Sequence, residues 1–249
     1  MSAQADGDRP AKPGMVARVA AVLRSFDEHH RQLPLTAISR RAGLPLSTTH
    51  RVIADLVNEG LLEHAGSEYV VGRTVWEVGL LAPVEATLRK KASPFLHDLY
   101  AATPSTIHLA VRDGTQVLYL ERLRGQTSVE IVSDVGSTLP LHATGVGKVL
   151  LAHAPGDIQQ QVLANLTPVT PYTITDARAL DRELRQIRRD DWARTNDEMT
   201  IGASSVAVPI RRGGEVVAAV GAVLDSQSGD HGRALAALQV AARAIGRRL

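Results

Sequence analysis

The sequence predicts an α+β fold: an N-terminal winged helix-turn-helix, then a linker helix, then a larger C-terminal α/β domain with a mainly antiparallel sheet. Three observations predict it. Apolar residues at helical spacing fill the front of the chain, with turn residues where a helix-turn-helix needs them. Two short β-type runs follow, joined near Gly66-Ser67 as in a hairpin. Beyond Ser93, helix-like and strand-like stretches mix without the strict alternation that a parallel sheet requires.

Taken in order, residues 1–14 (MSAQADGDRPAKPG) are polar, rich in Gly and Pro, and lack the apolar stretch of a signal peptide. They are expected to form a disordered tail on a cytoplasmic protein. Residues 15–72 form the first domain. Its first helix is predicted over Met15–His30 from Val16, Val19, Ala20, Leu23 and Phe26. The helix-turn-helix covers about 35–58. Thr36 is a candidate cap for a short helix ending at Gly43, and Leu44-Pro45 interrupts it because a residue before proline is pushed out of the helical region. Ser47 is the candidate N-cap of the next helix, which buries Thr49, Val52, Ile53, Leu56 and Val57 and stops at Gly60. Strands over 61–64 and 68–71 make the wing. Residues 73–92 read as the linker helix, kinked at Pro83.

The C-terminal domain, 93–249, opens on helix-like SPFLHDLYAAT. A hairpin turning at Asp113-Gly114 follows, with more strand over 128–132 and a loop, DVGSTLPLHAT. Helices are predicted over 145–153 and 179–189, paired strands over 204–211 and 215–224, and an amphipathic helix over 231–249.

Bulk properties narrow the function. Apolar residues make up 44% of the 249, ordinary for a globular chain, and no apolar run is long enough to span a membrane. Without cysteine, disulfides and Cys-ligated metals are excluded. Net charge is only +2, but its distribution is uneven. Arg9 to Arg51 holds eight Lys/Arg against two acids, whereas Ser93 onward holds 16 of each sign. A positive front suits a phosphate-binding face.

The second helix of a helix-turn-helix reads base edges in the major groove of double-stranded DNA. Ser47, Thr48, Thr49, His50 and Arg51 are the candidate reading residues, and Arg51 could instead pair with Asp55 one turn on. Thr49 suits packing better than reading. Arg40, Arg41 and Arg18 are candidate phosphate contacts, which position rather than specify.

Farther on, HATGVGK places small residues at a helix start, where free N–H groups suit an anion such as a carboxylate. It is no phosphate loop: His142 and Val149 stand where that motif needs Gly and Ser/Thr. Ser204 and Ser205 offer two hydroxyls at a strand start. Asp197-Glu198 is a poor acid/base pair, since neighbouring residues diverge, and suits a turn or pocket support instead. His108, His142 and His153 show no metal-ligand spacing. No catalytic residue, metal or cofactor is expected, and the chain is not read as an enzyme.

The segments MVARVAAVLRSF, LTAISRRAGLPLSTTHRVIADLVNEGLLE, VGSTLPLHATGVGKVLLA and DEMTIGASSVAVPI together resemble the IclR family of bacterial transcriptional regulators, in that family's order. The resemblance implies a GAF-like effector domain, assembly as a homodimer or dimer of dimers, operator DNA as partner, and a small organic acid as effector. It implies a pocket lined by Ile131, Leu139, the Gly145-Val146 backbone, Ser204 and Ser205, completed by Gly221 and Val223. Three positions depart from the family's habit: Leu46 replaces a frequent basic residue, Asp191-Trp192 a frequent Gly-Tyr pair, and Ser205 a frequent cysteine. Two rivals remain: a ligand-free DNA-binding and oligomerising protein, and a small-molecule enzyme with an appended DNA-binding domain.

Overall fold

The computed structural model describes residues 14–27, 30–79, 81, 86–103, 105–125, 132–227 and 230–249. Of the expected tail over 1–14 only Gly14, which precedes α1, is described; the kink at Pro83 and residues 128–131 of the expected strand lie outside the described residues. The chain forms two compact units that divide between Val84 and Glu85.

The first unit is a three-helix cluster with a small sheet. Helix α1 (Met15–Leu23), α2 (Leu35–Ala42) and α3 (Leu46–Asn58) pack Val22, Ile38, Val52, Ile53 and Leu56 around Leu62 of strand β2 (Leu62–Ala65). The first helix ends well before the predicted His30. Arg24 closes it, and the buried Ser25 hydroxyl donates to the Val22 carbonyl at 2.6 Å, taking the chain out of the helix. Gly43 and Gly60 both adopt the left-handed conformation expected of them (φ 64° and 67°). Neither predicted cap forms. Helices α2 and α3 start two residues earlier, behind Pro34 and Pro45, and have no side-chain cap. The extended backbone of each proline serves as the entry, so Thr36 and Ser47 lie inside their helices. The wing pairs β2 with β3 (Glu68–Val71), and β3 also pairs with an unpredicted short β1 (Gln32–Leu33). Helix α4 (Arg73–Gly79) ends this unit's described elements.

A single linker helix over 73–92 is not what forms. The next helix, α5 (Ala86–Ala102), runs straight through Pro94 and belongs to the second unit. Leu88, Ala92, Leu96 and Leu99 line its buried face. Burying that stripe outweighs the one backbone hydrogen bond that the proline removes.

Among the described residues, the second unit is a six-stranded antiparallel sheet in the order β6-β5-β4-β9-β8-β7, with helices on both faces. Strands β4 (Thr106–Asp113) and β5 (Gln116–Leu123) form the predicted hairpin, with Gly114 at φ 56°. Strand β6 (Thr138–Pro140) lies inside the stretch read as a loop, pairing Leu139 with Val117. Helix α6 (Gly145–Ala152), α7 (Gly156–Leu163) and α8 (Ala177–Asp190) cover one face. Strands β7 (Ala193–Asn196), β8 (Ala203–Arg212) and β9 (Glu215–Asp225) complete the sheet, and α9 (His231–Gly246) packs with α5 on the other face. Helix α7 and strand β7 were not predicted.

Candidate DNA-reading helix and ligand cavity

Helix α3 turns Val52, Ile53 and Leu56 inward and leaves Ser47, His50, Arg51, Asp55 and Asn58 exposed, with Thr48 half-buried. Arg51 and Asp55 are not paired, so the guanidinium stands free among the described residues. Thr49 is fully buried and its hydroxyl donates to the Pro45 carbonyl at 3.1 Å. It packs the start of the helix and is turned away from the exposed face. Arg40 is exposed at the end of α2, and Arg18 is half-buried on α1. Arg41 is committed: its Nε donates to the Ser25 carbonyl at 2.6 Å and its Nη2 bonds Asp27. That pair ties α2 to the end of α1.

A partly open cavity lies in the second unit between the sheet and the start of α6. Leu139, Gly145, Val146, Ser204, Ser205, Gly221 and Val223 all line it. Ile131 lies outside the described residues. Two glycines make room here. A Cβ on Gly145 would come within 2.4 Å of Ser205 Oγ, and one on Gly221 within 2.8 Å of Val146 Cγ1. Helix α6 therefore seats its first turn directly on strands β8 and β9. Thr144 caps that turn by accepting from the Gly147 N–H at 3.1 Å, leaving the Gly145 and Val146 N–H groups without helical acceptors.

The two serines part company. Ser205 faces the cavity side and shares a 2.6 Å hydrogen bond with Thr195 of β7. Ser204 is in the wall, but its hydroxyl bonds His231 Nε2 of α9 at 2.6 Å. Successive strand residues point to opposite faces, so only one of the two hydroxyls predicted for the site is offered to it.

Sequence reasoning missed His108 and Tyr119, whose rings meet edge-on at 4.9 Å, and Ser133, whose Oγ lies 2.9 Å from His108 Nε2. Burial, with the Arg122 charge acting the same way, lowers the His108 pKa to about 3, so the ring is neutral. Burial pushes the Tyr119 phenol up, partly offset by the Thr144 hydroxyl. Among the described residues, no Lys, Arg, Asp or Glu lines the cavity. His142, by contrast, is buried as a structural donor to the Thr167 carbonyl at 2.9 Å.

Behind the cavity lies a buried ion cluster. Lys148 of α6 is wholly buried, and its Nζ donates to both Glu183 carboxylate oxygens at 2.8 and 3.0 Å and to Glu198 Oε1 at 2.7 Å. Glu198 precedes Met199 and Thr200, which line the cavity. Asp197 holds a positive φ of 58° and accepts from the Gly202 N–H at 2.7 Å, closing the turn that carries them. This is the turn expected at Asp197. The lone lysine inside apolar GVGKVLLA was the available signal for the cluster. Among the described residues, no group of His, Asp and Glu could hold a metal ion, and no helix is long and apolar enough to cross a membrane.

Comparison with known proteins agrees with this architecture. The family profile described as "IclR helix-turn-helix domain" matches residues 15–66, and "Bacterial transcriptional regulator IclR C-terminal" matches 82–247. The Escherichia coli (strain K12) HTH-type transcriptional regulator XynR is 32% identical over 78% of this chain and 79% of its own. The Mycobacterium tuberculosis HTH-type transcriptional regulator Rv1719 is 31% identical over 85% and 82%. An IclR homolog from Microbacterium hydrocarbonoxydans, solved in complex with 4-hydroxybenzoate, is 34% identical, with a TM-score of 0.89 over 95% of this chain and 99% of its own. The chain thus belongs to the IclR family of DNA-binding bacterial transcriptional regulators.

Proposed function

We propose that this regulator changes its operator affinity when a small organic acid binds the cavity of its second unit. The observation that carries the reading is the cavity itself. Residues from β4, β5, β8, β9 and the first turn of α6 converge on a mostly apolar space edged by hydroxyls and unbonded N–H groups. Such a lining takes an apolar body and holds a carboxylate by neutral donors at a helix N-terminus. The Microbacterium relative's complex with 4-hydroxybenzoate supports an acid of that size.

On the DNA side, Ser47, Thr48, His50 and Arg51 contact the operator from α3, with Arg40 and Arg18 on phosphates. Thr49 and Arg41 serve the packing of the unit. The protein acts as a homodimer or dimer of dimers, because two-fold operators mirror two-fold proteins. The ligand shifts operator binding only as far as it prefers one arrangement of the paired N-terminal units. No catalytic step is assigned.

A thermal-shift screen of small carboxylic acids tests the reading. At least one is expected to raise the melting temperature in a concentration-dependent way. If no acid stabilises the protein, the ligand-switched reading falls and a ligand-free DNA-binding protein takes its place.

A further inference from the structure

The cavity is not uniform in its chemistry. Its α6 end offers backbone N–H groups and the Thr195–Ser205 hydroxyl pair. On the sheet beside them stands a different corner, made by His108 of β4, Tyr119 of β5 and Ser133. His108 and Ser133 are each more than nine-tenths buried. One His108 ring nitrogen is bonded to the Ser133 hydroxyl, while the other, Nδ1, has no hydrogen-bond partner among the described residues. The ring lines the cavity and is wedged edge-on against Tyr119, so it cannot turn freely to satisfy that nitrogen. Nδ1 is not among the fully enclosed unbonded atoms, so it opens onto the cavity, where a polar group of a bound ligand can reach it.

We propose that His108, set by Ser133, is a specificity-determining residue that reads a hydroxyl on the bound acid, so that the preferred effectors are hydroxy-substituted monocarboxylic acids. This rests on the reading that an acid occupies the cavity. A neutral imidazole with one nitrogen engaged by Ser133 offers a single further hydrogen-bonding function. That function is a donor or an acceptor according to the tautomer. A hydroxyl answers either. A second carboxylate answers only the donor form, and among the described lining residues there is no Lys or Arg to pair with it. A site built to hydrogen-bond a hydroxyl discriminates strongly against the analogue without one, because the buried partner is then left unpaired.

The test is isothermal titration of the full chain with benzoate, 3-hydroxybenzoate, 4-hydroxybenzoate and terephthalate, for the wild type and for His108→Phe, His108→Asn and Ser133→Ala. Thermal melts check that each variant folds. The wild type is expected to bind one hydroxybenzoate at least tenfold more tightly than benzoate, and terephthalate no better than benzoate. His108→Phe is expected to erase the hydroxyl preference while leaving benzoate affinity within about threefold. His108→Asn, which keeps a polar group near the Nδ1 position, restores part of the preference, and Ser133→Ala weakens it. Acids that bind without a hydroxyl preference overturn this proposal alone, as does an equal loss for benzoate and hydroxybenzoate in His108→Phe. Equal discrimination by His108→Phe and wild type also overturns it. If none of the acids, nor any other small carboxylate, binds the wild type, the effector reading falls together with it.

Discussion

His108 Nε2 and Ser133 Oγ lie 2.9 Å apart inside the sheet-side wall of the cavity, and both residues are almost completely removed from solvent. The pair has a consequence for stability as well as for ligand choice. The histidine pKa is about 3 in the folded chain and about 6.5 when unfolded. The unfolded state therefore binds a proton that the folded state refuses between those values. Stability is full above pH 6.5 and is lost as pH falls toward 3, at ~1.4 kcal/mol per pH unit and about 4–5 kcal/mol in all. About 2 kcal/mol is gone by pH 5 on the same scale. Urea unfolding at pH 5 and 7.5 checks this: His108→Phe loses less stability between the two than the wild type does.

Lys148 carries the opposite kind of risk, a buried charge that must stay paired. Lys148→Met leaves Glu183 and Glu198 facing one another without their cation. Breaking a buried pair costs about 3–5 kcal/mol, the lower end applying here because Glu183 is partly exposed. Glu198 behaves differently. Burial raises its pKa, only partly offset by Lys148, and its Oε2 has no hydrogen-bond partner. For a carboxyl held above its ordinary value of 4.5, stability is full below that value and falls as pH rises through the folded one. Glu198→Gln is expected to remove this decline, seen as a flatter profile in melts across pH 4.5–8, while the Lys148–Glu183 bond keeps the lysine paired.

Gly221 tests the seat of α6. It pairs with His108 on one side and Ala207 on the other, in a row that runs under the helix start. Gly221→Ala puts a methyl 2.8 Å from Val146 Cγ1 and 3.2 Å from Ala207 Cβ, and a β-branched neighbour cannot swing clear. Overpacking of this kind costs about 1–3 kcal/mol. Acid affinity measured by titration is expected to fall at least fivefold, with the fold retained.

On the DNA side, Arg51 and Thr49 are separated by two positions and by function. Arg51→Ala is expected to weaken operator binding by about 1–3 kcal/mol, the worth of a good base contact, without lowering the melting temperature of the domain. Thr49→Val, which keeps the buried volume, leaves affinity within about twofold. Fluorescence anisotropy on the operator duplex measures both, and equal losses for the two contradict the assignment of α3's exposed face.

Much of this was legible in the sequence, and the misses share a cause. The helix-turn-helix and wing could be read because their signals are local: Gly43, Gly60 and Gly66 mark the turns, and Val52, Ile53 and Leu56 mark the buried face. Ser93-Pro94 looks like a boundary in sequence, whereas long-range packing of Leu96 and Leu99 carries α5 through it. Short β1, β6 and β7 exist only through pairing with distant partners such as Val70, Val117 and Val206. The cavity was found from small residues and a helix start. Its polar corner was not, because His108 meets Tyr119 and Gly221 only once β4 has paired with β5 and β9. Alternation already placed His108 with Ala110, away from Ile107 and Leu109. What it lacked was the register that brings Ser133 to it.

The central claim is that one chain couples an acid in the cavity to DNA on α3. Anisotropy titration of the full chain on its own upstream DNA, with and without an acid shown to bind by calorimetry, tests that coupling most directly. The account predicts a shift in operator affinity of at least fivefold, in either direction, that Gly221→Ala reduces at a fixed acid concentration. An acid that saturates the cavity and leaves operator affinity unchanged contradicts it.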